Sequence, residues 1–230
     1  MKYFVAFLIG SVTGAALFVL GLYYNPFTGQ PTVSHLAVTD DRVVELSFSA
    51  VPKDAMLFTN NGDTGITPHP DGVAELWEQA VADTHLMVTM LQDSRGGTAG
   101  FGIKFSSKSE NTRLLKGEAI ADSVWHLYLP GQGTMLIDQT ENYWSYFREV
   151  VIPAHWSSGD NWRGTFHRIM TNGPTSLETA RVTGGRGLFA GMSSESIESL
   201  TARAYSSVTG PVSMTGSLTI AIPREIVSKK

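Results

Sequence analysis

The chain has 230 residues, 17 basic and 21 acidic side chains, a formal net charge of −4 and no cysteine. That balance argues against a polyanion, and so against nucleic acid, as a partner. Without thiols there is no disulfide framework, no cysteine nucleophile and no cysteine-ligated metal.

The first element is apolar. Residues 3–24 (YFVAFLIGSVTGAALFVLGLYY) carry no charged side chain, matching the roughly 20 residues a helix needs to cross a bilayer core. Lys2 precedes the run and the next positive charge is Arg42. The positive-inside bias therefore leaves the N-terminus cytoplasmic and predicts a single-pass membrane protein whose remainder is periplasmic or otherwise extracytoplasmic. A cleaved secretory signal starts the same way, but its apolar core is typically about 7 to 15 residues and is followed by a small-x-small site. The longer run favours an uncleaved signal-anchor over residues 1–24. Tyr23 and Tyr24 fit an interfacial aromatic belt, and Gly10, Gly14, Ala15 and Gly21 give the span a small-residue face suited to a partner helix.

Residues 25–40, opening NPFTGQPTVS, are rich in turn and extended-chain formers and read as a linker. Residues 41–230 are then one domain, long enough to bury its own core. Its dominant period is two. In RVVELSF, Val44, Leu46 and Phe48 share one face while Glu45 and Ser47 share the other, the alternation of a half-buried strand. Further strands are predicted over residues 85–91, 101–105, 115–121, 124–129, 134–141, 163–171, 179–183, part of 188–206, and 212–222. Turn signals separate them: NNGD at Asn60, SRGG at Ser94, PGQG at Pro130, SSGD at Ser157 and TNGP at Thr171. Helical periodicity is confined to residues 72–82, after a candidate cap at Asp71, and to residues 142–151, where helix and strand signals compete. The fold class expected is all-β, an antiparallel closed β-barrel preceded by one transmembrane helix, because closure removes exposed sheet edges.

The densest chemistry lies between Trp125 and Arg168. In TMLIDQTE, residues Met135, Ile137, Gln139 and Glu141 share one face and Leu136 and Asp138 the other, so one carboxylate lies on an apolar face. Arg163, His167 and Arg168 on WRGTFHRIM are the expected counter-charges. A buried carboxylate beside a cation is a candidate acid or base, and Glu141 is the base or electrostatic group expected, with Arg168 and Tyr143 orienting substrate. Either carboxylate also fits a strand-end cap or a structural ion pair. The aromatics of the same stretch, among them Trp144, Tyr146, Phe147, Trp156 and Trp162, suit a core, an apolar cavity or a lipid interface. Trp125, Tyr128, Phe166 and Phe189 are the expected ligand contacts. The six histidines (35, 69, 85, 126, 155 and 167) show no paired metal-ligand spacing, so no metal and no cofactor are expected. NNGD lacks the full ligand spacing of a calcium loop and reads as a turn.

Residues 182–192 read VTGGRGLFAGM, a Gly-Gly-x-Gly-x-Phe run between two strands. Gly184, Gly185 and Gly187 permit a tight turn and close backbone approach, after which Phe189 can enter the core. A dinucleotide fingerprint is excluded by context, since no helix with an apolar face follows. The segment resembles the corresponding turn of dirigent proteins and allene oxide cyclase-like barrels, over residues 181–222. The resemblance implies an eight-stranded barrel that binds a hydrophobic small molecule and has cyclase or isomerase activity. Arg186 and Gly191-Met192 depart from that family's pattern, so its catalytic residues do not transfer. The alternative is a non-catalytic accessory subunit of a membrane complex, binding a membrane-protein partner or forming a homo-oligomer. Carbohydrate binding through exposed tryptophans is a third reading.

Overall fold

A computed structural model describes residues 2–24, 42–51, 56–58 and 84–223. The first element, α1 (Lys2–Tyr23), is 22 residues long. Its stretch Lys2–Gly21 is long and apolar enough to cross a membrane, and none of it is buried against the rest of the molecule. That separates it from a core helix, whose apolar surface would be covered.

Most of the other described residues form antiparallel sheet: β1 (Arg42–Ser49), β2 (Met56–Phe58), β3 (Thr84–Gln92), β4 (Thr98–Lys108), β5 (Ile120–Leu129), β6 (Gly133–Asn142), β7 (Asn161–Ile169), β8 (Ala180–Gly187), β9 (Ser193–Ser206) and β10 (Gly210–Ile222). The hydrogen-bonded order runs β1-β10-β9-β8-β6-β5-β4-β3. A pairing of Ser47 with Gln92 joins β3 back to β1. The ring thus closes through eight strands, with β2 added beside β3 and β7 beside β9. The expected closed barrel is what the chain forms.

Strand β9 changes neighbour along its length. Residues 193–196 pair with β8, and residues 199–206 pair with β7. Where β8 has ended, the segment after β7 fills the wall. Glu141 bridges to Thr171, Asn142 N donates to Met170 O (2.8 Å) and Met170 N donates to Glu198 O (2.8 Å). This splice brings β6 and β9 close enough for Glu141 and Glu198 to share one interior layer.

Alternation fixes which side chains turn inward. On β5 these include Ser123, Trp125, Leu127 and Leu129, and on β6 Met135, Ile137, Gln139 and Glu141, all buried. Gly102 on β4 makes room for Trp125, because a Cβ there would stand 2.8 Å from the indole. At the GGRGLF turn only glycine fits position 184, where a Cβ would collide with the Phe189 carbonyl, and Phe189 itself is buried in the core.

Two expectations change. Residues 115–121 are not a strand: a 3₁₀ turn, Leu114–Lys116, ends at Gly117 in the left-handed region (φ 73°), and β5 begins only at Ile120. The ambiguous 142–151 segment is helical, running from α2 (Trp144–Tyr146) through a π turn (Phe147–Val151) into α3 (Ile152–Trp156). Tyr146, Val150 and Ala154 are buried at helical spacing, and Pro153, which has no N–H to donate back along the helix, follows directly on the π turn. The helix expected over 72–82 and the NNGD turn lie outside the described residues, as do His35 and His69.

Candidate functional site

Three charges meet inside the barrel. Lys104 Nζ lies 2.6 Å from Glu141 Oε1 and 2.8 Å from both Glu198 oxygens. All three side chains are almost completely buried. Neutral donors complete the shell. Ser123 Oγ donates to Glu141 Oε2 (2.8 Å), Trp125 Nε1 to Glu198 Oε2 (2.8 Å), Tyr143 OH to Glu141 Oε1 (3.2 Å), and Gln139 Nε2 to Glu198 Oε2. Thr171 fixes the Gln139 amide by donating to its Oε1 (3.2 Å) and accepts from Glu198 N (2.7 Å). The ammonium also stands 5.4 Å from the Trp125 ring centroid, within cation–π range.

Two carboxylates face one ammonium, so full ionisation would leave one uncompensated negative charge in a dry interior. Burial, followed by the Glu198 charge, pushes the Glu141 carboxyl up to about 7 against the lowering pull of Lys104 and Ser123. For Lys104, burial favours the neutral amine, but the two carboxylates outweigh it and hold the group protonated, above the ordinary lysine range. Burial and then the Glu141 charge hold the Tyr143 phenol well above its usual value. The layer thus contains a fixed cation, a fixed phenolic donor and one carboxyl that exchanges its proton near neutrality.

Above this layer lies a cavity of about 500 Å³. Lys104, Glu198 and Tyr143 form its polar floor, Phe48, Met87, Tyr146, Leu200 and Met214 contribute walls, and Leu114, Lys108 and Phe147 stand at its exposed rim. The Tyr146 hydroxyl, buried in that wall, has no hydrogen-bond partner, and burial raises its pKa. Among the described residues no group of three or more His, Asp or Glu is arranged to hold a metal ion.

The structure brings some of the expected site residues together and separates others. Glu141 and Tyr143 are hydrogen-bonded, and Tyr143 reaches the cavity. Trp125 is inside, but as a donor to Glu198 beneath the cavity. Arg168 is elsewhere: it is exposed on β7, with Nη2 3.3 Å from Glu149 Oε2. Arg163 and His167 are exposed too, the latter 2.8 Å from Thr201 Oγ1. The counter-charge of Glu141 is therefore Lys104, a correction to the pairing expected. Phe166 packs in the interior against Tyr146 (5.7 Å between centroids) and Phe189 in the core at the glycine turn, and neither lines the cavity. Tyr128 stands on the outer face, 5.3 Å from the Phe101 ring. Asp138 is exposed, on the face opposite Glu141.

Lys104 and Glu198 escape sequence reading. In FGIKF the aliphatic and aromatic residues Phe101, Ile103 and Phe105 share one face and read as the core side, yet Phe101 and Phe105 point outward and Lys104 inward. The signal that would have found Lys104 is Gly102 on the same face, a gap into which Trp125 fits.

No protein family's profile matches the chain, and no curated protein matches it. Among solved structures it is similar to a nonspecific heme-binding cyclase that catalyses 4 + 2 cycloaddition during neoabyssomicin biosynthesis, at 9% identity and a TM-score of 0.37, covering 82% of this chain and 67% of the other. It is also similar to the Diels–Alderase AbmU from Streptomyces koyangensis, at 10% identity and a TM-score of 0.36, covering 84% and 79%. Similarity this distant transfers neither residue roles nor activity. Fold and site together define a closed antiparallel barrel with a charged interior layer beneath an apolar cavity.

Proposed function

We propose that this is a membrane-anchored extracytoplasmic barrel that binds a hydrophobic small molecule and acts on it as a cyclase or isomerase. The observation that carries the reading is the apolar cavity floored by Lys104, Glu198 and Tyr143. Its walls hold a flexible apolar substrate in a folded shape, which is much of what ring closure requires. Tyr143 and Lys104 polarise a substrate oxygen. Glu141, hydrogen-bonded to the Tyr143 hydroxyl, passes its proton through Tyr143 to that oxygen and takes it back when the product forms, so the phenol is left protonated, and a carboxyl pushed up to about 7 suits that exchange at neutral pH. Cyclase or isomerase chemistry is also what the resemblance of the GGRGLF turn to dirigent and allene oxide cyclase-like barrels implies.

Native mass spectrometry of the full-length protein in mild detergent, followed by organic extraction, tests the reading. A stoichiometric apolar compound is expected, and Glu141→Gln should retain it while losing turnover. Stable protein partners with no small molecule would sink the proposal. That result would favour an accessory subunit of a membrane complex, a second reading supported by one observation. Met90, Phe101, Phe105, Val124, Tyr128 and Leu136 are exposed on the outer face of adjacent strands β3 to β6, an apolar patch of the kind that marks interfaces.

A further inference from the structure

The rim of the cavity and the end of α1 lie side by side. Val19 and Tyr23 border one groove with Leu114, Trp144, Ile152 and Trp156. The Tyr23 ring is 5.7 Å from that of Trp156. Leu114 belongs both to this groove and to the rim of the cavity.

Depth follows from length. The 22 residues of α1 span about 33 Å at 1.5 Å per residue, close to the roughly 30 Å of a bilayer core. Tyr23 is then at headgroup level, and so are the barrel residues that touch it. Val19 lies one helical turn deeper, about 5 Å into the acyl region.

The side chains exposed at this end suit that depth. Leu114 is 50% exposed, Leu115 62%, Phe147 42% and Trp156 64%. The two leucines sit in the 3₁₀ turn between exposed Arg113 and Lys116. Apolar tips flanked by basic residues and an indole are the composition of a surface that enters a lipid interface, where the basic groups reach phosphates.

We infer that this end of the barrel is seated in the bilayer surface, with Leu114 and Leu115 among the acyl chains, and that the mouth of the cavity opens onto lipid. The ligand is then a membrane-dissolved molecule that enters without crossing water. This rests on the anchored, ligand-binding reading above and deepens it by naming the source of the ligand.

The chain has no cysteine, so single-cysteine variants take a nitrobenzoxadiazole fluorophore at one place. Full-length Ser11→Cys (within α1), Leu115→Cys, Phe147→Cys and Ser94→Cys (the exposed β3–β4 turn at the far end of the barrel) are labelled and reconstituted in phosphatidylcholine–phosphatidylglycerol vesicles with and without doxyl-labelled lipid. Quenching several-fold stronger at positions 11, 115 and 147 than at 94 is the expected result. Quenching at 11 with none above the position-94 level at 115 overturns the seating while leaving the anchor intact. Quenching at 11 and 115 without 147 overturns the lipid-facing mouth. No quenching at 11 or 115 overturns the anchor and the inference together.

Discussion

The two ends of the barrel are walled by the same strands and differ in what those strands turn inward. At the end near the β5–β6 turn, Leu127, Leu129, Met135, Phe189 and Met192 pack into a solid apolar core. At the other, β4, β6 and β9 present Lys104, Glu141 and Glu198, and the space beyond them is left as a cavity. Burial supplies stability at the first end. At the second, desolvating three charges consumes much of what their attraction returns, and an apolar replacement of similar volume is often no less stable. The charged layer therefore adds little to stability, and it is at this hollow end that the proposed function is sited.

The largest effect expected is at the hollow end. Lys104→Met removes the shared cation and leaves two carboxylates buried together, so denaturant unfolding should show a loss of about 3–5 kcal/mol. A loss no greater than a surface substitution gives would mean that the charges are hydrated and the layer is not dry. At the solid end, Met135→Ala should cost about 3 kcal/mol through the void it leaves and should not alter the extractable ligand. If ligand is lost too, the two ends are not independent.

The third expected effect is on pH dependence. Glu141 has a raised folded-state pKa, about 7 against an ordinary 4.5, so the folded state binds its proton more tightly than the unfolded one. The stability this contributes is complete below about pH 4.5 and is lost as pH rises through 7. The raised pKa of Lys104 acts only above the ordinary lysine range, outside this window. Wild type minus Glu141→Gln, followed by unfolding midpoints, should therefore decline across that interval. A flat difference would place the proton elsewhere in the layer. The smallest change is Tyr143→Phe, which removes one hydrogen bond to Glu141 and should cost about 1 kcal/mol while sharply reducing turnover of any bound substrate. Unchanged turnover would remove Tyr143 from the chemistry.

Much of the solid end was legible in the sequence, because period-two alternation with glycine turns reports burial on one face. The same rule placed one of Glu141 and Asp138 on an apolar face without choosing between them, and the buried face is the one Glu141 shares with Met135, Ile137 and Gln139. It failed for Lys104 because the outer face of β4 is more apolar than its inner face. It failed for Glu198 because the partners of that residue are remote: Lys104 is 94 positions away and Trp125 73. Nothing local records that β9 switches from β8 to β7 at that point. Arg168 illustrates the converse error, a charge at a plausible spacing whose strand lies outside the closed ring.

The ring closes between the first strand and the last, with Arg42 opposite Ile222 and Ser49 opposite Thr215. A ribosome releases β1 long before its principal partner exists. Until β10 emerges, β1 lacks its principal neighbour and the interior cannot be sealed, so folding is governed by a contact between distant parts of the chain.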